Sequence, residues 1–543
     1  MTLGRTPDEH RDRGTRSVTV RIDSDICIIG SGITAILAAE RITELTDADI
    51  VMVEAGGHTT AVRDRIGKRR RFIDYGENPW TRDHIRDQTG EGLFYRSMNV
   101  GGCAMHWDAA CPRFSPEDFR QRSTYDVGTD WPIGYDDLEP YYQDFEERVG
   151  VAGEPGPPEY DPRSGPYPMP PLPLSYNLEI LKKWGESADI PFWTQPWAKA
   201  TTTEHDRAIC RRCDTCHICP TGAKYTPDVT LDRLIAAGKV RLVTDTLVRR
   251  LELHENSDRV DYAVAVDSSA PDEVVELRAR TFVLAAGYAW SPHLLLLSAS
   301  NRFPNGLANR TGMVGTYMTG HPYASAQIDL PFESYPGMFS ANSLMSRMFA
   351  RPGPLERYVR HDLRIWTSTA GRGPRPRDND GSWLFGDAVM DDWQARTQRS
   401  SARVRGYYDV IPDRNSLLSL DPVRRNRWGD PMPKIEYRDA PESVELRAHT
   451  HDTMFGLFER MAEVGGGSVM STQLSTRMEH PGGGCRMGDD PATSVADSYG
   501  RTHDHENLFV IGASTMVSGG CANGTPTFCA LSLRSAEVIG EEF

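Results

Sequence analysis

The stretch Ser24-Asp-Ile-Cys-Ile-Ile-Gly30 runs directly into Ser31-Gly-Ile-Thr-Ala35 and a helix-like run from Ile36 to Leu45, and Ile50-Val-Met-Val-Glu54 follows. An apolar strand, a glycine-rich turn, a helix and a second apolar strand make a βαβ unit of the expected length. Within it, Gly30-Ser-Gly32-Ile-Thr-Ala35 fits the G-x-G-x-x-G/A pattern in the setting that gives the pattern meaning. Gly30 permits the tight turn, Gly32 lets backbone approach a pyrophosphate, and the small Ala35 lets helix pack on strand. The unpaired N–H groups and dipole of the helix N-terminus favour the pyrophosphate anion. Glu54 ends the second strand, where a carboxylate can accept hydrogen bonds from a ribose hydroxyl. The unit predicts an adenine dinucleotide site, and by itself it does not choose FAD over NAD.

Working outward, the 543 residues predict several compact units, and 39% hydrophobic against 25% charged residues places the chain among folded proteins. A formal charge of −15 argues against neutralising nucleic-acid phosphates. No window is long and apolar enough for a membrane span, and Met1 to Ser17 is polar without an apolar signal core. A cytoplasmic location is therefore expected, with export alongside a partner subunit as the other route.

Further along, Gly153 to Pro173 carries nine Pro and three Gly and reads as a surface connection. Val240 to Leu251 and Val274 to Leu284 read as strands, the second leading through Ala285-Ala-Gly287 to a helix-like stretch from Pro292 to Ser298. Tyr323 to Val464 shows strand-like alternation, and a strand at Asn507 to Ile511 precedes a closing helix over Phe528 to Ile539. His503-Asp-His505 reads as a solvated surface turn, Lys68-Arg-Arg-Arg71 as a solvated charged face, and Cys27 as a small buried apolar group.

Four of the ten cysteines, Cys210, Cys213, Cys216 and Cys219, fall at two-residue intervals with Pro220 after the last. Such crowding reads as a metal or cluster site rather than a disulfide framework. The bacterial ferredoxin run differs by one residue before its last Cys. An iron–sulfur cluster, a zinc site and free or redox-active thiols all remain open on spacing alone.

Several blocks together resemble the glucose–methanol–choline (GMC) oxidoreductases, in the branch of pyranose 2-oxidase and the iron–sulfur FAD sugar dehydrogenases. They are Asn99-Val-Gly-Gly102 with His106-Trp107, Trp131-Pro-Ile-Gly-Tyr-Asp-Asp-Leu-Glu-Pro-Tyr-Tyr142, Cys219-Pro-Thr-Gly-Ala-Lys224, Leu284-Ala-Ala-Gly287, and His480 to Leu533. The resemblance implies FAD. Gly101 and Gly102 then form a stretch of backbone able to lie against a flat ring. His106 becomes a candidate for a covalent histidyl link to the flavin, or for a contact without one. Val248, Ala286, Gly512 and Ala513, together with Asp497, match the family's other FAD contacts.

In His480-Pro-Gly-Gly-Gly-Cys485-Arg-Met-Gly488 the resemblance assigns His480 as the base for the substrate hydroxyl, a task suited to a side chain titrating near neutrality. Its partner should come from Gly519-Gly-Cys-Ala-Asn523-Gly-Thr525, where counting forward from Gly512 gives Asn523 and counting back from Leu533 gives Thr525. Asn523 is preferred because an amide both donates and accepts. The resemblance also favours an iron–sulfur cluster on the four Cys, zinc being the alternative.

The expected fold class is α/β with an α+β second domain: a Rossmann-like FAD-binding domain and a substrate-binding domain on a mostly antiparallel sheet. The FAD domain is expected to be discontinuous, over 18–60, 90–120, 205–320 and 475–543. Segments 61–89, 121–204 and 321–474 then form the substrate domain and its connections. The expected activity is FAD-dependent oxidation of a sugar or glycoside alcohol to a carbonyl, electrons leaving through the cluster to an acceptor protein such as a small subunit or cytochrome. A tailoring oxidase of a glycoside or aminoglycoside with a structural Cys or zinc site is the enzymatic alternative. A non-catalytic electron-transfer flavoprotein is a weaker one, since His480 and Asn523 are both present.

Overall fold

The computed structural model describes residues 19–58, 61–75, 97–203, 205–213, 215–268, 273–330, 342–351, 360–367, 374–378, 380–397 and 401–543. The polar start Met1–Ser17 and the expected boundary at residues 89 and 90 lie outside them.

The opening βαβ unit seeds a mixed sheet of seven strands among the described residues. β1 (Thr19–Ile29) pairs in parallel with β2 (Ile50–Val53) on one side and β7 (Val274–Leu284) on the other. Ile26 to Ile29 are buried throughout, as a parallel strand covered on both faces requires. β4 (Val240–Val243) extends the parallel set beyond β2. The far edge of β7 is shared: β6 (Val260–Asp267) pairs antiparallel with its first half and β15 (Leu508–Val510) parallel with its last residues. β5 (Thr246–Leu253) then pairs with β6. The sequence reads Val240 to Leu251 as one strand, but Asp245 at φ +53° turns the chain between β4 and β5.

Helix α1 (Ile33–Leu45) leaves the glycine turn and is covered by α10 (Thr525–Glu541). Ala35, Ala38 and Ala39 on one helix and Ala536 on the other belong to one buried cluster, and small side chains let the two backbones approach. The closing helix starts at Thr525 rather than the expected Phe528, because Pro526 is pre-organised for a first helical turn.

A second sheet of six strands is antiparallel in every pairing. Its order is β14 (Ser468–Gly482), β8 (Thr319–Asp329), β11 (Ser401–Tyr408), β10 (His361–Thr367), β9 (Leu344–Ser346) and β3 (Trp193–Thr194). One face packs on α5 (Tyr176–Ser187) and on α9 (Pro441–Val464). The strand-like reading of Tyr323 to Val464 misses α9, whose Met454, Leu457, Phe458 and Met461 recur at helical spacing and cover the sheet. The other wall of this sheet faces the cavity described below. A separate hairpin joins β12 (Leu417–Arg425) to β13 (Pro431–Glu436).

The remaining helices are connectors: α2 (Arg65–Tyr75), α3 (Gln121–Tyr125), α4 (Tyr135–Val149), α6 (Asp228–Ala236), α7 (Gly287–Leu297) and α8 (Asp387–Thr397). α7 begins five residues before the expected Pro292, which lies inside it. In α2, Arg65 is fully buried against Asp228 and Arg69 donates to Thr215, so the basic run is only partly a solvated face. His505 departs from its expectation too. It is buried, with Nδ1 2.6 Å from the Asp258 carbonyl and Nε2 accepting from Ala308 N–H, which ties the β5–β6 turn to the C-terminal region. No described helix is long and apolar enough to cross a membrane.

Candidate active site

A cavity of about 710 Å³ runs from the carboxyl ends of β1 and β2 to the wall of the second sheet. Open α/β sheets bind ligands in this crevice. The parallel pairings bring Ile29 beside both Val53 and Leu284, and Gly30 turns away with φ +103°. A Cβ on Gly30 would sit 2.6 Å from the Ala285 carbonyl oxygen, so only glycine fits. At Gly32, by contrast, a Cβ would meet nothing within 4 Å and would project into open space. No side chain caps the α1 N-terminus at Gly32, leaving its first amides free to meet an anion.

Glu54 has a second task that spacing does not reveal. Its Oε2 accepts from the Ser31 N–H (3.1 Å) and hydroxyl (2.6 Å), and its Oε1 accepts from the Gly56 N–H (2.9 Å). The carboxylate therefore fixes the glycine turn while lining the cavity. Burial raises its pKa against these hydrogen bonds. Val248 lines the same end, with Arg249 next to it held by Asp430 of the β12–β13 hairpin tip at 2.8 and 2.6 Å. These features fit an adenine dinucleotide.

Of the other expected contacts, Gly102, His106, Ala286 and Ala513 line the cavity. Ala35, Gly101 and Gly512 support it from behind. Ala35 is fully buried in α1, Gly101 at φ +90° turns against Met105, and Gly512 at φ +82° packs against Thr34. Asp497 does not line the cavity; its Oδ1 accepts from Tyr499 and Arg501 N–H in its own turn.

His106 lies on the wall with His217 beside it, ring centroids 5.8 Å apart. Burial, then the neighbouring His217 and Lys224, lowers its pKa to about 4, so the imidazole is neutral at pH 7. The buried Lys224 donates to the Met105 and Trp107 carbonyls at 3.1 and 2.8 Å, which fastens the cysteine loop to the segment carrying His106.

In that loop Cys219 is buried and the other three are half-buried. Cys213 Sγ lies 3.1 Å from the Thr215 hydroxyl, and Cys219 Sγ accepts from the Lys224 N–H at 3.5 Å. Four thiol donors in one loop fit the chemistry of a cluster or of zinc. Among the described residues, however, no three His, Cys, Asp or Glu side chains are gathered as a metal site.

The second sheet supplies the remaining wall. β14 ends in two register irregularities around Glu479, and His480 follows at φ +47°. Such breaks re-aim a side chain. His480 Nε2 lies 2.9 Å from Asn523 Nδ2, and its Nδ1 lies 2.9 Å from His321 Nε2. Asn523 immediately precedes Gly524, the N-cap of α10. Thr525, the alternative partner, lines the same wall but makes no hydrogen bond to His480 among the described residues. Burial first, then the charges of Arg364 and Arg405, lowers the His480 pKa to about 4. At neutral pH it is a free base.

Sequence reasoning missed the rest of this wall. Arg364 Nη2 is 3.5 Å from Asn523 Oδ1 and Nη1 is 2.5 Å from Asp362. Arg405 donates to the Tyr407 hydroxyl at 2.9 Å, with Glu479 at 3.9 Å. The available signal was the crowding of ionisable residues in a short strand-like stretch, His361-Asp-Leu-Arg364, which the strand buries throughout.

Comparison with known proteins finds similar chains and folds. Residues 412–532 match the family described as GMC oxidoreductase. The chain is 29% identical over 552 residues to the fructose dehydrogenase large subunit of Gluconobacter japonicus, covering 95% of this chain and 98% of that protein. It is also 29% identical to 6'''-hydroxyparomomycin C oxidase of Streptomyces lividus, over 98% and 93% of the two chains. Among solved structures, pyridoxine 4-oxidase from Mesorbium loti superposes with a TM-score of 0.64 at 19% identity, over 95% of this chain and 99% of that one.

Proposed function

We propose that this chain, a GMC-type FAD-dependent oxidoreductase acting on CH–OH groups, oxidises a secondary or primary alcohol of a sugar or glycoside to a carbonyl. The observation that carries the reading is the hydrogen-bonded pair His480–Asn523 on the wall of the cavity that also holds the glycine cradle. FAD, when bound, supplies the hydride acceptor. The chain's own residues handle the proton. His480 is neutral and takes the hydroxyl proton on Nε2, the atom that Asn523 Nδ2 now contacts. The arriving hydroxyl must displace or share that contact, and Asn523 then orients the same oxygen. Arg405, Glu479 and Tyr407 line the cavity as further donors and acceptors, the mixture that a polyhydroxylated substrate satisfies.

Of the three similar proteins quoted above, the two matched at 29% identity are named for a sugar and an aminoglycoside, which supports both the sugar reading and the alternative of a glycoside-tailoring oxidase. A partner subunit is also in the reading, since one of them is named as a large subunit. We assign FAD binding to the first sheet with its flanking segments and substrate binding to the second. Cys210, Cys213, Cys216 and Cys219 would hold an iron–sulfur cluster, which supplies one-electron transfer, or zinc. His106, on the cavity wall, would meet the flavin either through a covalent link or through a contact without one.

The deciding experiment mixes purified protein anaerobically with a panel of sugars, glycosides and simple alcohols and follows bleaching of the flavin. Reduction by the sugars or glycosides is expected; reduction only by simple alcohols would sink the substrate class. Iron and zinc assays on the same sample decide the cysteine loop, and acid precipitation decides the link to His106.

A further inference from the structure

We propose that His321 is a positioning residue that sets the tautomer of His480, and so decides which nitrogen of that ring is free to take a proton. The proposal rests on the reading of His480 as the base.

The reasoning starts at Arg364. A guanidinium only donates, so its approach to Asn523 Oδ1 fixes which end of the amide faces it and turns Nδ2 toward His480. An amide NH₂ also only donates. His480 Nε2, 2.9 Å away, must therefore be the unprotonated, accepting nitrogen. A neutral imidazole carries one proton, which then sits on Nδ1 and is donated across 2.9 Å to His321 Nε2. His321 in turn carries its own proton on Nδ1, where no full hydrogen bond is made and the Pro322 carbonyl is the group nearby.

The placement of His321 suits this task. It lies on β8 opposite Glu479 in the ladder, one residue from the base, and its ring is fully buried. The two imidazoles lie 18° from parallel with centroids 4.9 Å apart, and Tyr407 packs edge-on against His321 at 4.8 Å. Held between β8 and β14, His480 cannot turn its ring over without losing the only acceptor offered to Nδ1–H among the described residues. Without that acceptor, the tautomer with its proton on Nε2 becomes accessible, and that form has no lone pair for the substrate hydroxyl.

The test uses the flavin-loaded enzyme. His321→Phe keeps an aromatic ring in the slot and removes the acceptor; His321→Gln restores an acceptor oxygen. In His321→Phe the rate constant of anaerobic flavin reduction is expected to fall about 10²-fold with substrate affinity nearly unchanged. His321→Gln should recover to within roughly tenfold of the wild type. Rates are compared across pH, because Arg364, Arg405, Tyr407 and Glu479 all face this pair. A His321→Phe enzyme that reduces at the wild-type rate, or Phe and Gln variants equally impaired, would overturn the assignment. If the variants do not fold, nitrogen NMR of the wild-type protein decides: Nδ1–H on His480 is expected, and Nε2–H refutes it. Should His480→Ala itself reduce normally, the base assignment falls instead, and the NMR outcome keeps the two failures apart.

Discussion

Two walls of one cavity are built in opposite ways. The cradle at the ends of β1 and β2 is made of backbone and comes from a single stretch, Gly30 to Glu54, with its side-chain brace 23 residues from the turn it holds. The opposite wall is made of side chains drawn from separate strands: His480 meets His321 across 159 positions and Asn523 across 43. The cradle works by shape and by the amides of a helix N-terminus, neither of which titrates. The wall works by burying ionisable groups beside one another, which moves their pKa values. Damage to the first should therefore show as lost cofactor, and damage to the second as lost rate with the cofactor in place.

His480→Ala is the sharpest way to break that division. Flavin reduction is expected to fall by about 10²–10⁴-fold while flavin content stays near that of the wild type, measured by anaerobic stopped flow and absorbance. A variant that loses its flavin would show that the wall also holds the cofactor. Gly30→Ala is the mirror experiment and ranks next. Its φ of +103° costs a side chain about 1–3 kcal/mol, and the new Cβ collides with the Ala285 carbonyl besides. The protein should purify largely free of flavin with a lowered Tm, and full flavin occupancy would refute the account of the turn.

The same contrast explains what could be read from the chain. The first sheet's βαβ unit is visible as a local pattern because it depends on residues close in sequence, and the antiparallel second sheet is visible only as strand-like alternation; the pairing of His480 with the 519–525 segment comes from the resemblance to a known family. His321, Arg364 and Arg405 are not visible that way. Each sits in a strand whose own spacing does not mark it as part of a site, and only the lateral pairing of β8, β10, β11 and β14 brings them to one place. Helix α9 was hidden for a related reason: its buried residues and the strand residues they cover are both apolar, and strand alternation upstream carried the eye through it. The cysteine spacing was legible, but whether the sulfurs converge depends on what they bind.

A smaller effect probes the electrostatics of the wall. Burial and the Arg364 and Arg405 charges hold the His480 pKa near 4, below the usual 6.5. The base is active above that value and lost as pH falls through it, so flavin reduction should stay level from neutral pH down to about pH 5 before declining. Arg364→Met removes a cation that disfavours the imidazolium. Asp362, whose pKa burial raises to about 6, would lose its partner and take up a proton, adding no negative charge in exchange. The His480 pKa should therefore rise and the acid limb of the rate profile move to higher pH. An unmoved limb would detach Arg364 from the base.

The smallest predicted effect lies at the far end of the cradle, where the division between backbone and side chain is least clean. Arg249 follows Val248 on β5 and grips Asp430 through two hydrogen bonds, with Nη2 also donating to the Trp428 carbonyl at 3.0 Å. Asn426 and Asp430, at the tip of the β12–β13 hairpin, line the cavity there, so this ion pair closes a side-chain flap over an otherwise backbone-made site. Both partners are partly exposed, which limits the pair to about 1 kcal/mol. Arg249→Met should then weaken FAD binding roughly fivefold, by fluorescence titration of apoprotein, and leave the rate of flavin reduction at saturating FAD unchanged. Unaltered affinity would mean that the hairpin tip rests on the cavity without closing it. A slowed reduction would be the more instructive failure, because it would tie the cofactor's far end to the wall that moves the proton.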